Sequence, residues 1–264
     1  MTLLALAVIV PAGRSAAGDE PSPDVTEPPP YEQFVVIPLR VHVLRAADLP
    51  EVDCALSDAD VARIIGKVNA IWHVAGIHWG LDSVVREPAD GQDKFRLARD
   101  LNGSATLESF RVLLPEASRH CDGLHVYYIH KFRFNGVYLG DDFALVQETA
   151  KLDAVEGGID EPIPRVTAHE LGHALGLPHR QNKTNLLASG TTGTLLNAQE
   201  VERAREGAHN IKGSIPAAEV RKLAEQAVTA RDTEKARRLW RWLAEIPGAG
   251  AAEAQRRLGE LQKP

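Results

Sequence analysis

Residues 169–179 constrain this chain more than any other stretch: His169-Glu170-Leu171-Gly172-His173-Ala174-Leu175-Gly176-Leu177-Pro178-His179. Residues four apart share one face of a helix, so His169 and His173 can hold one metal ion together. Glu170 stands beside the first ligand, near enough to reach a water without taking a coordination position. Gly176 follows the second histidine by three. Glycine adopts the left-handed conformation at little steric cost, so a helix ends there readily. Pro178 cannot continue a helix in any case. The chain then turns back and His179 becomes a third ligand from outside the helix. Three imidazoles with a fourth position left open mark a catalytic zinc site rather than a structural one. The chain holds ten histidines and 21 glycines in 264 residues. At that composition the pattern arises by chance about once in ten thousand chains, so the eleven residues are read as a site rather than a polar helix face.

The stretch reads as HExxHxxGxxH and resembles the metzincin signature. The resemblance is close over these eleven residues and loose over 34–207. It implies an α+β fold: a metzincin-like twisted mixed sheet with an active-site helix, here followed by a C-terminal helical appendage. It implies Zn2+ held by His169, His173 and His179, with Glu170 as the catalytic general base of a metalloendopeptidase acting on protein or peptide substrates. Metzincins carry a methionine in a tight turn under the metal. Asn185-Leu186-Leu187-Ala188-Ser189-Gly190 resembles that turn, with Leu187 at the methionine's place; Met1 is the chain's single methionine. Leucine has similar volume and is expected to pack beneath the ligands. The tyrosine that several metzincin groups use after this turn is absent, since no tyrosine follows Tyr138. Asn197 with Glu200 three residues on reads as the cap of the next helix.

Two other classes stay open. One is a zinc hydrolase cleaving a non-peptide amide. The other is a non-catalytic zinc-binding scaffold; Glu170 speaks against it, because metal binding alone does not need that carboxylate.

A hydrophobic share of 44% supplies a sizeable core, and a net charge of −6 argues against nucleic-acid binding. Residues 3–10, LLALAVIV, are too short to span a bilayer and precede Ser15-Ala16-Ala17, so 1–17 reads as a signal peptide, although no Lys or Arg precedes the run. Export to an extracytoplasmic or secreted location is therefore expected, without a stable membrane anchor. Residues 18–30 form a proline-rich linker. The catalytic domain is expected over 31–210 and the helical appendage over 211–264. Cys54 and Cys121 form no CxxC pair. An even cysteine count in an exported chain favours a bond between them, with two separate buried thiols as the alternative.

Period-two alternation predicts a half-buried strand over 34–44, with Leu39, Val41 and Val43 inward and Arg40 and His42 outward. Ser57 is expected to cap a helix whose apolar positions run Val61, Ile64, Ile65, Val68, Ile71, Trp72. Strands are predicted at 77–81, 124–130 and 143–147, a helix at 107–114, and a polar loop over 87–104. Metzincins lay substrate along an edge strand above the cleft, and 143–148 is the candidate for that rail. His42, His73, His78, His125 and His130 lack the i, i+4 pattern and are read as packing or surface residues, as are His120 and His209. In the appendage, Asp232 is expected to cap a helix carrying Leu239, Trp240 and Leu243, broken at Pro247-Gly248. The basic run Lys235, Arg237, Arg238, Arg241 is a solvated face or a surface for a protein partner.

Overall fold

The β-branched run after Phe34 forms strand β1, Val35–Arg45, which lies inside a sheet ordered β2-β1-β3-β5-β4. The computed structural model describes residues 24–102, 110–116 and 122–261. Its other strands are β2 (Ile77–Pro88), β3 (Leu124–Ile129), β4 (Gly136–Gly140) and β5 (Phe143–Gln147). The pairs β1–β2, β1–β3 and β3–β5 are parallel, and β4 runs antiparallel to β5 at the edge. A two-residue strand β6, Ile215–Pro216, adds antiparallel to the start of β1. The fold is mixed α+β, with seven α-helices of three or more turns among the described residues.

Ser57 caps helix α1, Asp58–Trp72, through a reciprocal capping box with Asp60. Its apolar face, from Val61 to Trp72, packs with Ile37, Leu39, Val41 and Val43 on one face of the sheet. Helix α3, Pro162–Ala174, joins this layer through Val166, Ala168 and Leu171, and Trp72 Nε1 donates to the Ala168 carbonyl at 3.2 Å. The other face of the sheet buries Leu44, Tyr127, Ile129 and Leu145 with Phe95 and Phe110.

That second layer corrects the picture of a half-buried first strand. His42 and His125 are each 1% exposed, and His42 Nε2 meets His125 Nδ1 at 3.0 Å while its Nδ1 meets Glu87 Oε1 at 2.6 Å. A central parallel strand is covered on both sides, and its polar residues are paired rather than solvated. The expected loop over 87–104 is also corrected. Strand β2 runs to Pro88 and helix α2 spans Gln92–Asn102. This helix is mostly polar and is anchored by Phe95, so its apolar periodicity is weak. The helix expected at 107–114 falls largely outside the described residues; Phe110, Leu113 and Leu114 are buried. His120 and Cys121 also lie outside them.

Cys54 is a buried free thiol whose Sγ donates to Glu148 Oε2 at 3.3 Å, and burial pushes its pKa up to about 12. The expected bond to Cys121 is not formed at Cys54. His130 Nδ1 meets the other oxygen of Glu148 at 2.6 Å. The signal-like run 1–17 lies outside the described residues. The described end of the proline-rich stretch lies along the body, with the Val25 N–H donating to Leu196 O at 2.8 Å. Among the described residues no helix is long and apolar enough to cross a membrane.

Helix α4, Ala198–Asn210, is capped by Asn197 and Glu200 as the sequence predicts. Three further helices follow: α5 (Ala217–Thr229), α6 (Thr233–Glu245) and α7 (Ala249–Leu261). They share a core with Phe34 and Val36. Trp242 lies over Gly80 of β2, where a Cβ would come within 2.6 Å of the indole, and its Nε1 donates to Leu81 O. Part of the basic run is used internally: Arg238 pairs with Asp82, and Arg237 donates to Leu261 O.

Candidate metal centre

Pro162 opens α3 at a position where its missing N–H costs nothing. The helix then ends in a glycine-terminated motif. Gly176 sits at φ +82°, its N–H donates to His173 O at 3.0 Å, and Leu177 N–H donates to Gly172 O at 3.0 Å. This sharp stop turns the chain back and carries His179 to the two helical histidines.

The three imidazoles converge. His173 Nε2 lies 3.1 Å from His169 Nε2 and 3.1 Å from His179 Nε2. Their ligand atoms all fall within 4.8 Å of one another, an arrangement that could hold a metal ion. The opposite ring nitrogens settle the tautomers. His169 Nδ1 contacts Leu186 O at 2.8 Å, and His173 Nδ1 contacts Leu177 O at 2.8 Å. A carbonyl oxygen only accepts, so both Nδ1 atoms carry the hydrogen and both Nε2 atoms present lone pairs. Unprotonated nitrogens facing each other at that distance repel unless a cation sits between them. Metal–imidazole bonds of about 2.0–2.1 Å fit nitrogens spaced this way around one ion. Burial, then the Arg165 charge, lowers the His169 pKa to about 3; burial also lowers that of His173. The ring nitrogens thus stay free for a metal.

Glu170 is 6% exposed, and burial raises its pKa to about 8 against the opposing pull of the Tyr138 backbone N–H and of Arg165. Strand β4 crosses directly over it. A Cβ placed on Gly136 would lie 2.9 Å from Glu170 Oε1 and 2.6 Å from Val166 Cγ1. Only glycine lets the strand pass this close. The edge strand beside the site is therefore β4, and the expected rail at 143–148 is corrected: β5 is hydrogen-bonded on both sides, to β3 and to β4.

Leu187 is fully buried, and a Cβ on Gly172 would lie 3.2 Å from its Cδ1, so the leucine packs against the helix that carries His169 and His173. Asn185 Oδ1 accepts from Leu187 N at 2.7 Å and holds the turn. Arg165, one helical turn before His169, is a site residue that the motif does not reveal. It is 2% exposed, and its Nε donates to Gly193 O at 3.0 Å while Nη2 donates to Asn185 O and Ala188 O. It ties the 185–193 segment to α3. Its signal in the sequence is its place four residues before His169, on the same helix face. A cleft of about 620 Å³ opens here, lined by Phe134, Val137, Leu152, Arg165, Glu170 and His179 among others. The other histidines expected to be packing or surface residues stay outside this group among the described residues: His73 and His78 stack on each other, and His209 is exposed.

No family model and no curated protein matches the sequence. Among solved structures, the chain is similar to metalloproteinase-II from Bacteroides fragilis, at 12% identity and a TM-score of 0.38 over 72% of this chain and 58% of that one. A chaperone–substrate complex matches at 11% identity and a TM-score of 0.38, over 66% of this chain and 34% of that one. The chain thus spans about a third to somewhat over half of the chains it matches. Likeness at this level speaks neither to fold nor to activity.

Proposed function

We infer that this protein is a zinc-dependent metalloendopeptidase of metzincin type, acting outside the cytoplasm. The observation that carries the reading is the convergence of three imidazole Nε2 atoms beside a buried carboxylate in an open cleft. His169, His173 and His179 would hold the ion, with the Leu186 and Leu177 carbonyls fixing two of the rings. Zinc bound there supplies Lewis acidity, which brings a water toward ionisation near neutral pH and polarises a carbonyl. Glu170 takes the proton from the attacking water on a carboxylate oxygen and delivers it to the leaving nitrogen. Beside a dication its carboxyl ionises more readily than burial alone allows. Strand β4 is the edge strand beside Glu170, and an extended peptide laid along it would run past that carboxylate. On this reading the N-terminal run is a signal peptide, residues 31–210 form the catalytic part and 211–264 the appendage.

The test is metal content with and without the central ligand. Purified protein is expected to carry about one zinc per chain, and His173→Ala to lose it. Full zinc retention in that variant would overturn the assignment.

A further inference from the structure

Arg165 is a buried cation with no salt bridge among the described residues; Glu170 is the carboxylate whose charge acts on it. Three of its contacts are neutral carbonyls, those of Asn185, Ala188 and Gly193. Its Nη1 lies 3.1 Å from His169 Nδ1, but that nitrogen carries a hydrogen already committed to Leu186 O at 2.8 Å and cannot accept another. Nη1 is left without an acceptor. Arg165 lines the cleft beside the three histidines. The walls around it include apolar Val137, Leu152 and Val166, which weaken solvent screening of its charge. At the rim stands a second cation, Arg133, stacked over Phe134 at 5.4 Å. Against these two, Glu170 is the cleft's single acidic lining residue among those described, in a chain of net charge −6. With Nε and Nη2 committed to the Asn185, Ala188 and Gly193 carbonyls, Nη1 remains to give a carboxylate a charge-assisted hydrogen bond.

From this we propose that the cleft takes a carboxylate on a residue flanking the scissile bond, with Arg165 as the specificity-determining group. The proposal rests on the peptidase reading for its substrate, and names its class: peptides with Asp or Glu beside the cleaved bond, or with a terminal carboxylate there.

The zinc-loaded full chain is assayed on peptide pairs differing by Asp or Asn, and by Glu or Gln, at each flanking position. A second set ends at the leaving residue as free acid or amide, which separates side-chain from terminal carboxylate. The charged member of at least one kind of pair is expected to be cleaved with a kcat/KM about tenfold or more higher, because a site built to bond a group rejects its neutral mimic. In Arg165→Met the preference should fall toward parity. Equal cleavage within every wild-type pair overturns the proposal, and this comparison stands even if the variant fails to fold. If no peptide is cut, the peptidase reading fails separately, and calorimetry decides the subsite. Succinate should then bind the zinc-loaded wild type about tenfold tighter than butyrate, which lacks the second carboxylate. Equal binding of the two overturns it.

Discussion

At the scale of single residues, the site depends on groups that approach too closely to be replaced. Gly136→Ala would drive a Cβ into Val166 and the Glu170 side chain. On the peptidase reading, displacing Glu170 by about 1 Å costs on the order of 10²-fold in rate, so kcat should fall by about that factor while the zinc content matches the wild type. A kcat equal to the wild type would show that β4 does not fix the Glu170 carboxylate. Leu187 makes the complementary case. Leu187→Met keeps the volume and should cost less than about 1.5 kcal/mol, whereas Leu187→Ala empties a fully buried position and should cost about 2–5 kcal/mol. Urea denaturation of the two variants checks both values. The convergence of His169, His173 and His179 was legible because helix periodicity and a glycine stop translate directly into side-chain positions. Arg165, Gly136 and the carbonyls of Leu177 and Leu186 were not, because their roles come from segments that meet the helix only in the folded chain.

At the scale of elements, legibility followed apolar contrast. Strand β1, helix α1 and helices α5 to α7 announce themselves through regular apolar spacing and capping residues. Strand β4 does not: Gly-Val-Tyr-Leu-Gly is five residues flanked by glycine, and the edge role passed in the sequence to the more apolar β5. Helix α2 hid for the opposite reason, being polar around an anchoring Phe95. The junction between β2 and the turn before it carries a pH-sensitive element. Burial, reinforced by neighbouring His78, lowers the pKa of His73 to about 4. The groups around it are the His78 ring on β2, Glu245 of α6 approaching His78 at 3.5 Å, and Arg205 of α4 bonded to Ala75 O. A histidine whose folded pKa lies below its unfolded value of 6.5 takes up protons first in the unfolded state. Its contribution to stability is intact above about pH 6.5 and is lost as the pH falls toward about 4. Denaturation midpoints of wild type and His73→Phe between pH 7 and 4.5 test this: the variant should lose less stability on acidification. Identical losses would contradict it.

At the scale of the whole molecule, one layered sheet serves two partners. One face carries α3 with α1, and the start of β1 together with β2 carries the C-terminal helices through Phe34, Val36 and the Trp242–Gly80 contact. Trp242→Ala removes a buried indole and its hydrogen bond to Leu81 O, and should cost about 3–5 kcal/mol in a denaturation experiment. A loss below about 1 kcal/mol would mean that these helices contribute little to the body's stability. The α+β class followed from the resemblance carried by residues 169–179, but the burial of both sheet faces was not legible, since α2 and the 110–116 segment supply the second layer with little periodic signal of their own. The central claim is that Glu170 moves the proton in a zinc-dependent peptide hydrolysis. The measurement that tests it most directly is the turnover of a peptide library by zinc-loaded wild type and Glu170→Gln. The wild type should cleave, and the variant should keep its zinc yet lose about two or more orders of magnitude in kcat. Turnover by Glu170→Gln at the wild-type rate, or no cleavage by a wild type that holds zinc, would contradict the account.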